Sequence, residues 1–163
     1  MKELTAEELR RLVKYDPDSG LMTRLVKTSY RISVGDTCGN VNAQGYLVAR
    51  IHTKKRPVHR LAWLYMTGDW PTGEIDHLNG ERTDNRWANL RDATDAVNAQ
   101  NTRRARTDNK STGLLGVSKN WRGFRARIMV DRKMLHLGTF KTPELAHEAY
   151  VKAKRELHEG CVL

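Results

Sequence analysis

Apolar and polar positions alternate over some stretches of this chain, take helical spacing over others, and lose any period between them. Phe124, Ala126, Ile128 and Val130 alternate with Arg125, Arg127 and Met129, which is the period of a half-buried strand. Leu135 and Leu137 alternate with Met134 and His136 in the same way. Thr142 and Pro143 then open a helix with Ala146, Ala149, Tyr150, Ala153 and Leu157 on one face. Three strands packed on one helix is the simplest assembly of this C-terminal part.

The first half of the chain is more finely divided. Thr5 is placed to cap a short helix, with Glu8 completing a capping box and Leu4 stapling against Leu9. That helix is expected to stop near Asp16-Pro17-Asp18-Ser19-Gly20, a strong turn signal. Gly35, Gly39 and Gly45 punctuate short strand-like runs, the clearest being Tyr46 to His52, followed by a basic turn at Lys54-Lys55-Arg56. A small antiparallel sheet is predicted here. Pro57 begins a helix carrying Val58, Leu61, Ala62 and Tyr65 as a core stripe and ending at Gly68. Glu74 to His77 reads as a strand, Leu78 to Asn89 as a polar loop, Leu90 to Ala93 as a strand, and Thr94 as the cap of a helix through Asn101.

Charge changes the picture from a fold to a partner. The 163 residues contain 29 Lys and Arg against 19 Asp and Glu, a formal net charge of +10. Such a balance favours a polyanion. From Asn101 to Lys133 ten Lys or Arg face only Asp108 and Asp131, a net of +8, beside Trp121 and Phe124. That density points to nucleic acid. No apolar run approaches the roughly 20 residues of a membrane span and no signal peptide is visible, so a soluble, cytoplasmic protein is expected. Cys38 and Cys161 are the only cysteines and lie far apart, which indicates neither a disulfide framework nor a paired-cysteine zinc site.

Candidate chemistry is concentrated between Glu74 and Asn98. Asp76 and His77 place a carboxylate beside an imidazole before the polar loop, and Asn98 adds an amide on the following helix. Phosphodiester hydrolysis requires a base for water and a cation to stabilise the crowded phosphate. Neighbouring strand residues face opposite ways, so Asp76 can reach a metal while His77 addresses water. Taken singly, an Asp-His pair also fits a hydrogen-bonded couple, and Asn89 or Asn98 a cap or turn residue. His59, beside an apolar helical stripe, reads first as structural.

The stretch from His59 to Asn101, with Val58-His-Arg-Leu61, Asn79-Gly80 and Asp84-Asn85, resembles the HNH endonucleases, most closely the phage-encoded homing enzymes among them. The resemblance implies a ββα-metal fold. It implies His77 as general base, Asn89 as the residue that holds the loop and orients the imidazole, and Asp76 with Asn98 as ligands of one divalent metal. Two oxygen ligands suit Mg²⁺ or Mn²⁺ better than Zn²⁺.

Residues from Thr112 through Tyr150, with Thr112-Gly-Leu-Leu-Gly-Val117 and Leu137-Gly-Thr-Phe140, resemble the plant ethylene-response-factor DNA-binding domain, which lays a three-stranded sheet in the major groove. The base-contacting arginines of the plant domains are replaced here by Leu115, Ser118, Asn120, Met129 and Met134, and a second tryptophan by His136. Binding is therefore expected from Lys119, Trp121, Arg122, Arg125, Arg127 and His136. The linker cations Arg103, Arg104, Arg106 and Lys110 are expected to track the DNA backbone, and Arg50, Lys54, Lys55 and Arg56 to add a further contact.

These readings combine into an α+β chain. Residues 1–56 form an N-terminal helix and small sheet, 57–101 an HNH core, 102–112 a basic linker and 113–163 a sheet-based DNA-binding domain. The expected function is site-specific cleavage of double-stranded DNA by a monomer with no required protein partner, encoded by a phage or mobile element. A non-cleaving regulator and a non-specific nuclease are the competing classes.

Overall fold

The computed structural model describes residues 3–103, 105, 109–158 and 160–161, with Asp95 described by its backbone only. The chain divides into two compact units, residues 1–94 and 95–163.

In the first unit, helix α1 (Ala6–Leu12) begins where the sequence predicts. The Thr5 hydroxyl accepts the Glu8 N–H at 3.2 Å, and Leu4 and Leu9 are both buried. The Glu8 carboxylate does not return to the cap; it meets His52 Nε2 at 2.9 Å. The helix also stops earlier than expected. Val13 and Tyr15 turn inward as strand β1 (Val13–Tyr15), which pairs with β2 (Met22–Arg24) around the turn at Asp16 to Gly20. Three residues are too few for a period of two to stand out against the helix before them.

Strand β3 (Asn40–Val41), β4 (Leu47–Ile51) and β5 (Lys54–Pro57) form an antiparallel sheet in that order. The basic segment at Lys54 is thus a strand and not a turn. The turn is His52-Thr53, with His52 at φ +52°. Lysine-rich sequence suits this position, because β5 is an edge strand and charge there discourages further pairing. Helix α2 (Val58–Thr67) follows Pro57 and ends at Gly68, burying Val58, Leu61, Ala62 and Leu64 in a core shared with Leu9, Val13, Met22 and Ile51.

The hairpin of β6 (Glu74–His77) and β7 (Leu90–Ala93) has the predicted limits, with His77 opposite Leu90. The loop between them is braced from the N-terminal hairpin. Tyr15 Oη donates to the Asn85 carbonyl at 2.7 Å, the Trp87 N–H donates to the Pro17 carbonyl at 2.9 Å, and Trp87 packs on Trp63. Gly20, at φ +73°, lies against the backbone of Asn85 and Arg86.

The second unit begins with helix α3 (Asp95–Gln100). Strands β8 (Val117–Asn120), β9 (Gly123–Val130) and β10 (Lys133–Phe140) form a sheet with β9 central, and helix α4 (Pro143–Leu157) covers one face. Ala126 and Ile128 meet the helix through Ala146, Tyr150 and Ala153. Gly116 admits the Tyr150 ring, since a Cβ there would stand 2.0 Å from it. The helical stripe departs from expectation at its end. Leu157 is exposed, while Lys154 is buried with Nζ donating to the Thr102 carbonyl. A buried ammonium is tolerable when it has such an acceptor. The α+β class and several small antiparallel sheets agree with the sequence reading. Among the described residues no helix is long and apolar enough to cross a membrane.

Candidate active site

Strand β6 carries Asp76 and His77 side by side, and both are buried, at 7% and 4% exposure. Asp76 stands opposite Arg91 on β7, and its Oδ2 accepts from Arg91 Nη2 at 2.7 Å and Nε at 3.1 Å. The register of the hairpin therefore creates this ion pair. His77 Nε2 lies 3.4 Å from Asn85 Oδ1. The Asn85 amide nitrogen donates to the Thr83 carbonyl at 3.0 Å, which fixes the carbonyl end toward the ring. A carbonyl oxygen only accepts, so the contact favours the Nε2–H tautomer and makes Nδ1 the basic nitrogen.

Asn89, which the HNH resemblance implies as both the loop brace and the orienter of the imidazole, is placed at the loop ends. Its Oδ1 accepts the Asn79 N–H at 2.9 Å and its Nδ2 donates to the Asp84 carbonyl at 2.7 Å. Asn79 and Arg86 also bind the Asp84 carboxylate, whose pKa falls to about 2, with the Arg86 hydrogen bond the largest cause. Asn85 meets the imidazole at Nε2. Its sequence signal lies in the Asp84-Asn85 pair, which the HNH resemblance marks without assigning it a role.

His59 comes to the same place from α2. Its ring meets His77 edge to face, 5.1 Å between centroids, and Tyr46 at 5.2 Å. Tyr46 is 6.0 Å from His77. Burial, then the neighbouring His77 and Arg60, lower the His59 pKa to about 3, and its buried Nδ1 has no hydrogen-bond partner among the described residues. Burial also lowers the His77 pKa, against the opposing effects of Asn85 and Asp76. Both rings are thus neutral at neutral pH, the form a general base requires. Arg82 lies over the Tyr46 ring at 4.9 Å. Neither Tyr46 nor Arg82 belongs to a sequence motif, and only the folded chain brings them together.

The oxygen donors fit a hard divalent cation in kind. Asp76, in the first unit, supplies a carboxylate that is paired with Arg91, and Asn98, on α3 of the second unit, is an amide. Among the described residues no group of three or more His, Cys, Asp or Glu is placed to hold a metal.

The expected DNA-contacting residues separate by element. Arg50 on β4 stands directly opposite Lys55 on β5, both exposed, a like-charge pairing that an anion would relieve. Lys54 is exposed next to it. In the second unit the open face of β9 and β10 bounds a cleft of about 440 Å³ lined by Trp121, Arg122, Arg125, Arg127, Met134 and His136. Arg127 pairs with His136, and the Arg122 guanidinium lies 4.0 Å from the Trp121 ring centre. Lys119 does not join them, because its register with Phe124 puts it on the other face. Lys110 is exposed and Arg103 half-buried; Arg104 and Arg106 lie outside the described residues.

No curated protein and no solved structure matches this chain. The family model of HNH endonucleases matches residues 56–100. That segment contains Asp76, His77, Asn85, Asn89 and Asn98, and HNH nucleases generally use a divalent metal. Residues 56–100, which bear the candidate site, match the HNH endonuclease model, and the chain is a DNA-cleaving nuclease.

Proposed function

We propose that this nuclease is a site-specific, homing-type endonuclease in which His77 is the general base and Asp76 with Asn98 hold one Mg²⁺ or Mn²⁺. The observation that carries the reading is His77 itself: buried, neutral, met at Nε2 by Asn85, and adjacent to a buried carboxylate within the HNH-matching segment. His77 Nδ1 takes a proton from water as the water oxygen attacks phosphorus. Asn89 holds the loop so that Asn85 keeps the ring in place. When bound, the cation supplies Lewis-acid stabilisation of the phosphate and the departing oxygen.

Site selection on this reading comes from outside the catalytic segment. The open face of the C-terminal sheet, with Arg125, Arg127 and Trp121, enters the major groove in the manner of an ethylene-response-factor domain, while Arg103, Arg104, Arg106 and Lys110 follow the phosphates. Unlike modules suit a monomer on an asymmetric duplex, and the setting is an intracellular phage or mobile element. The test is to digest a random-sequence plasmid library with Mg²⁺ present and sequence the new ends. A shared sequence at those ends is expected. His77→Ala should slow cutting by about 10²–10⁴-fold with binding retained, and a chelator should stop it. Scattered ends would leave a nuclease without site specificity, and full activity in His77→Ala would remove the assignment of the base.

A further inference from the structure

We propose that Arg82 is a further catalytic residue, whose guanidinium binds a non-bridging oxygen of the phosphate attacked by the water that His77 activates. The proposal rests on the reading of His77 as the base. Arg82 sits in the loop between β6 and β7 but is held by the other sheet. Its Nη1 donates to the Gln44 carbonyl at 2.5 Å, and its guanidinium carbon lies 4.9 Å from the centre of the Tyr46 ring. The turn that supplies both partners is itself fixed, because Asn42 Oδ1 accepts the N–H groups of Gln44 and Tyr46 at 3.0 Å each. The Arg82 stem passes close to this turn, its Cδ within ordinary van der Waals reach, 3.7 Å, of the Cβ position at Gly45.

This cation is one aromatic ring away from the base. The ring that carries it also faces His77, 6.0 Å away, and the Arg82 charge acts on the His77 imidazole. Of the other arginines nearby, Arg86 is paired with Asp84 and Arg91 with Asp76, while Arg60 commits both terminal nitrogens to the Gly73 and Pro71 carbonyls. Arg82 has no carboxylate partner among the described residues, and the Glu81 side chain beside it accepts from the Thr83 hydroxyl. It is exposed, so substrate can reach it. A guanidinium with one N–H committed to Gln44 retains four further donors, arranged to match phosphate oxygens.

The chemistry gives such a group a role. As the water oxygen bonds to phosphorus, its proton passes to His77 Nδ1. The phosphorus–oxygen bond to the leaving group breaks, and the departing oxygen takes a proton from solvent. Negative charge on the non-bridging oxygens rises in the transition state, and a donor already in place stabilises it without reorganising.

The test uses the full chain and a duplex bearing the site recovered from the library. Single-turnover cleavage with Mg²⁺ and binding without metal are measured for wild type, Arg82→Gln, Arg82→Lys and His77→Ala, with thermal melts alongside. Arg82→Gln keeps a donor for Gln44 but lacks the charge, and should cut about 10²–10³-fold more slowly while binding changes by less than about threefold. Arg82→Lys should lie between, and added guanidinium ion should restore part of the rate to Arg82→Gln. Cleavage by Arg82→Gln near the wild-type rate overturns the proposal. So does a rate loss that is matched by lost binding or lost stability and is not rescued. His77→Ala separates the two ideas: if it is inactive while Arg82→Gln is normal, only the Arg82 role falls, and if His77→Ala is active the base assignment falls first.

Discussion

Replacing Gly20 with alanine should disturb the catalytic loop at Asn85, 65 residues further along the chain. Two costs can be separated. The first is conformational: Gly20 has φ +73°, and an alanine in this left-handed region costs roughly 1–2 kcal/mol. The second is steric. A Cβ would stand 2.5 Å from Arg86 N and from Asn85 C, and 3.0 Å from Asn85 O. All three are backbone atoms, so no side chain can swing away, and overpacking of this kind costs about 1–3 kcal/mol. A total of roughly 2–5 kcal/mol is expected. The displacement is aimed at the loop held by Tyr15 Oη and Pro17 O, and Asn85 bears the amide that meets His77. Gly35→Ala is the control, because Gly35 also has positive φ, at +90°, but nothing lies within 4 Å of its Cβ position. Urea unfolding should show Gly20→Ala to be the more damaging by at least about 1 kcal/mol, and single-turnover cleavage should fall in it alone. Equal midpoints for the two variants, with equal cleavage, would refute the reasoning that the N-terminal hairpin positions Asn85.

Acidification should destabilise the first unit through His59. Its folded pKa of about 3 lies below the ordinary 6.5, so the unfolded chain binds a proton that the fold does not, and stability is lost as pH falls from about 6.5 toward 3. Between pH 6.5 and 5 the loss should be roughly 1–2 kcal/mol, and it should shrink in His59→Gln; an unchanged pH dependence in that variant would show that His59 is not its source. In the second unit, Arg125→Ala with Arg127→Ala should weaken DNA binding. If each contacts a phosphate, the log–log salt slope should flatten by about 0.9 per residue, whereas a base contact would instead concentrate the loss on particular base pairs. Unchanged affinity on specific and scrambled duplexes would mean that this sheet does not face DNA.

Sequence alone determined the features that depend on neighbours along the chain. Thr5 and Thr142 cap helices because a hydroxyl and an amide three residues on are brought together by the first helical turn. Gly68 stops α2, the limits of β6 and β7 follow from apolar runs between turn residues, and alternation on β9 divides Arg125 and Arg127 from Ala126 and Ile128. The pair Asp76-His77 was legible for the same reason, since strand pleating needs only adjacent residues. Tertiary structure decided what depends on distant partners. The early end of α1 follows from the pairing of Val13 with Arg24, and the strand at Lys54 from a two-residue turn whose register is fixed by β4. Lys154 could be buried because Thr102 offered it a carbonyl, while Leu157, on the last turn of α4, remained exposed. The surroundings of His77 are the clearest case. Tyr46, His59, Arg82 and Asn85 come from the β3–β4 turn, a helix and the β6–β7 loop, and their spacing in sequence carries no period that a pattern could reveal. Loop closure and core packing bring them together, and these depend on the whole first unit rather than on any short stretch of it.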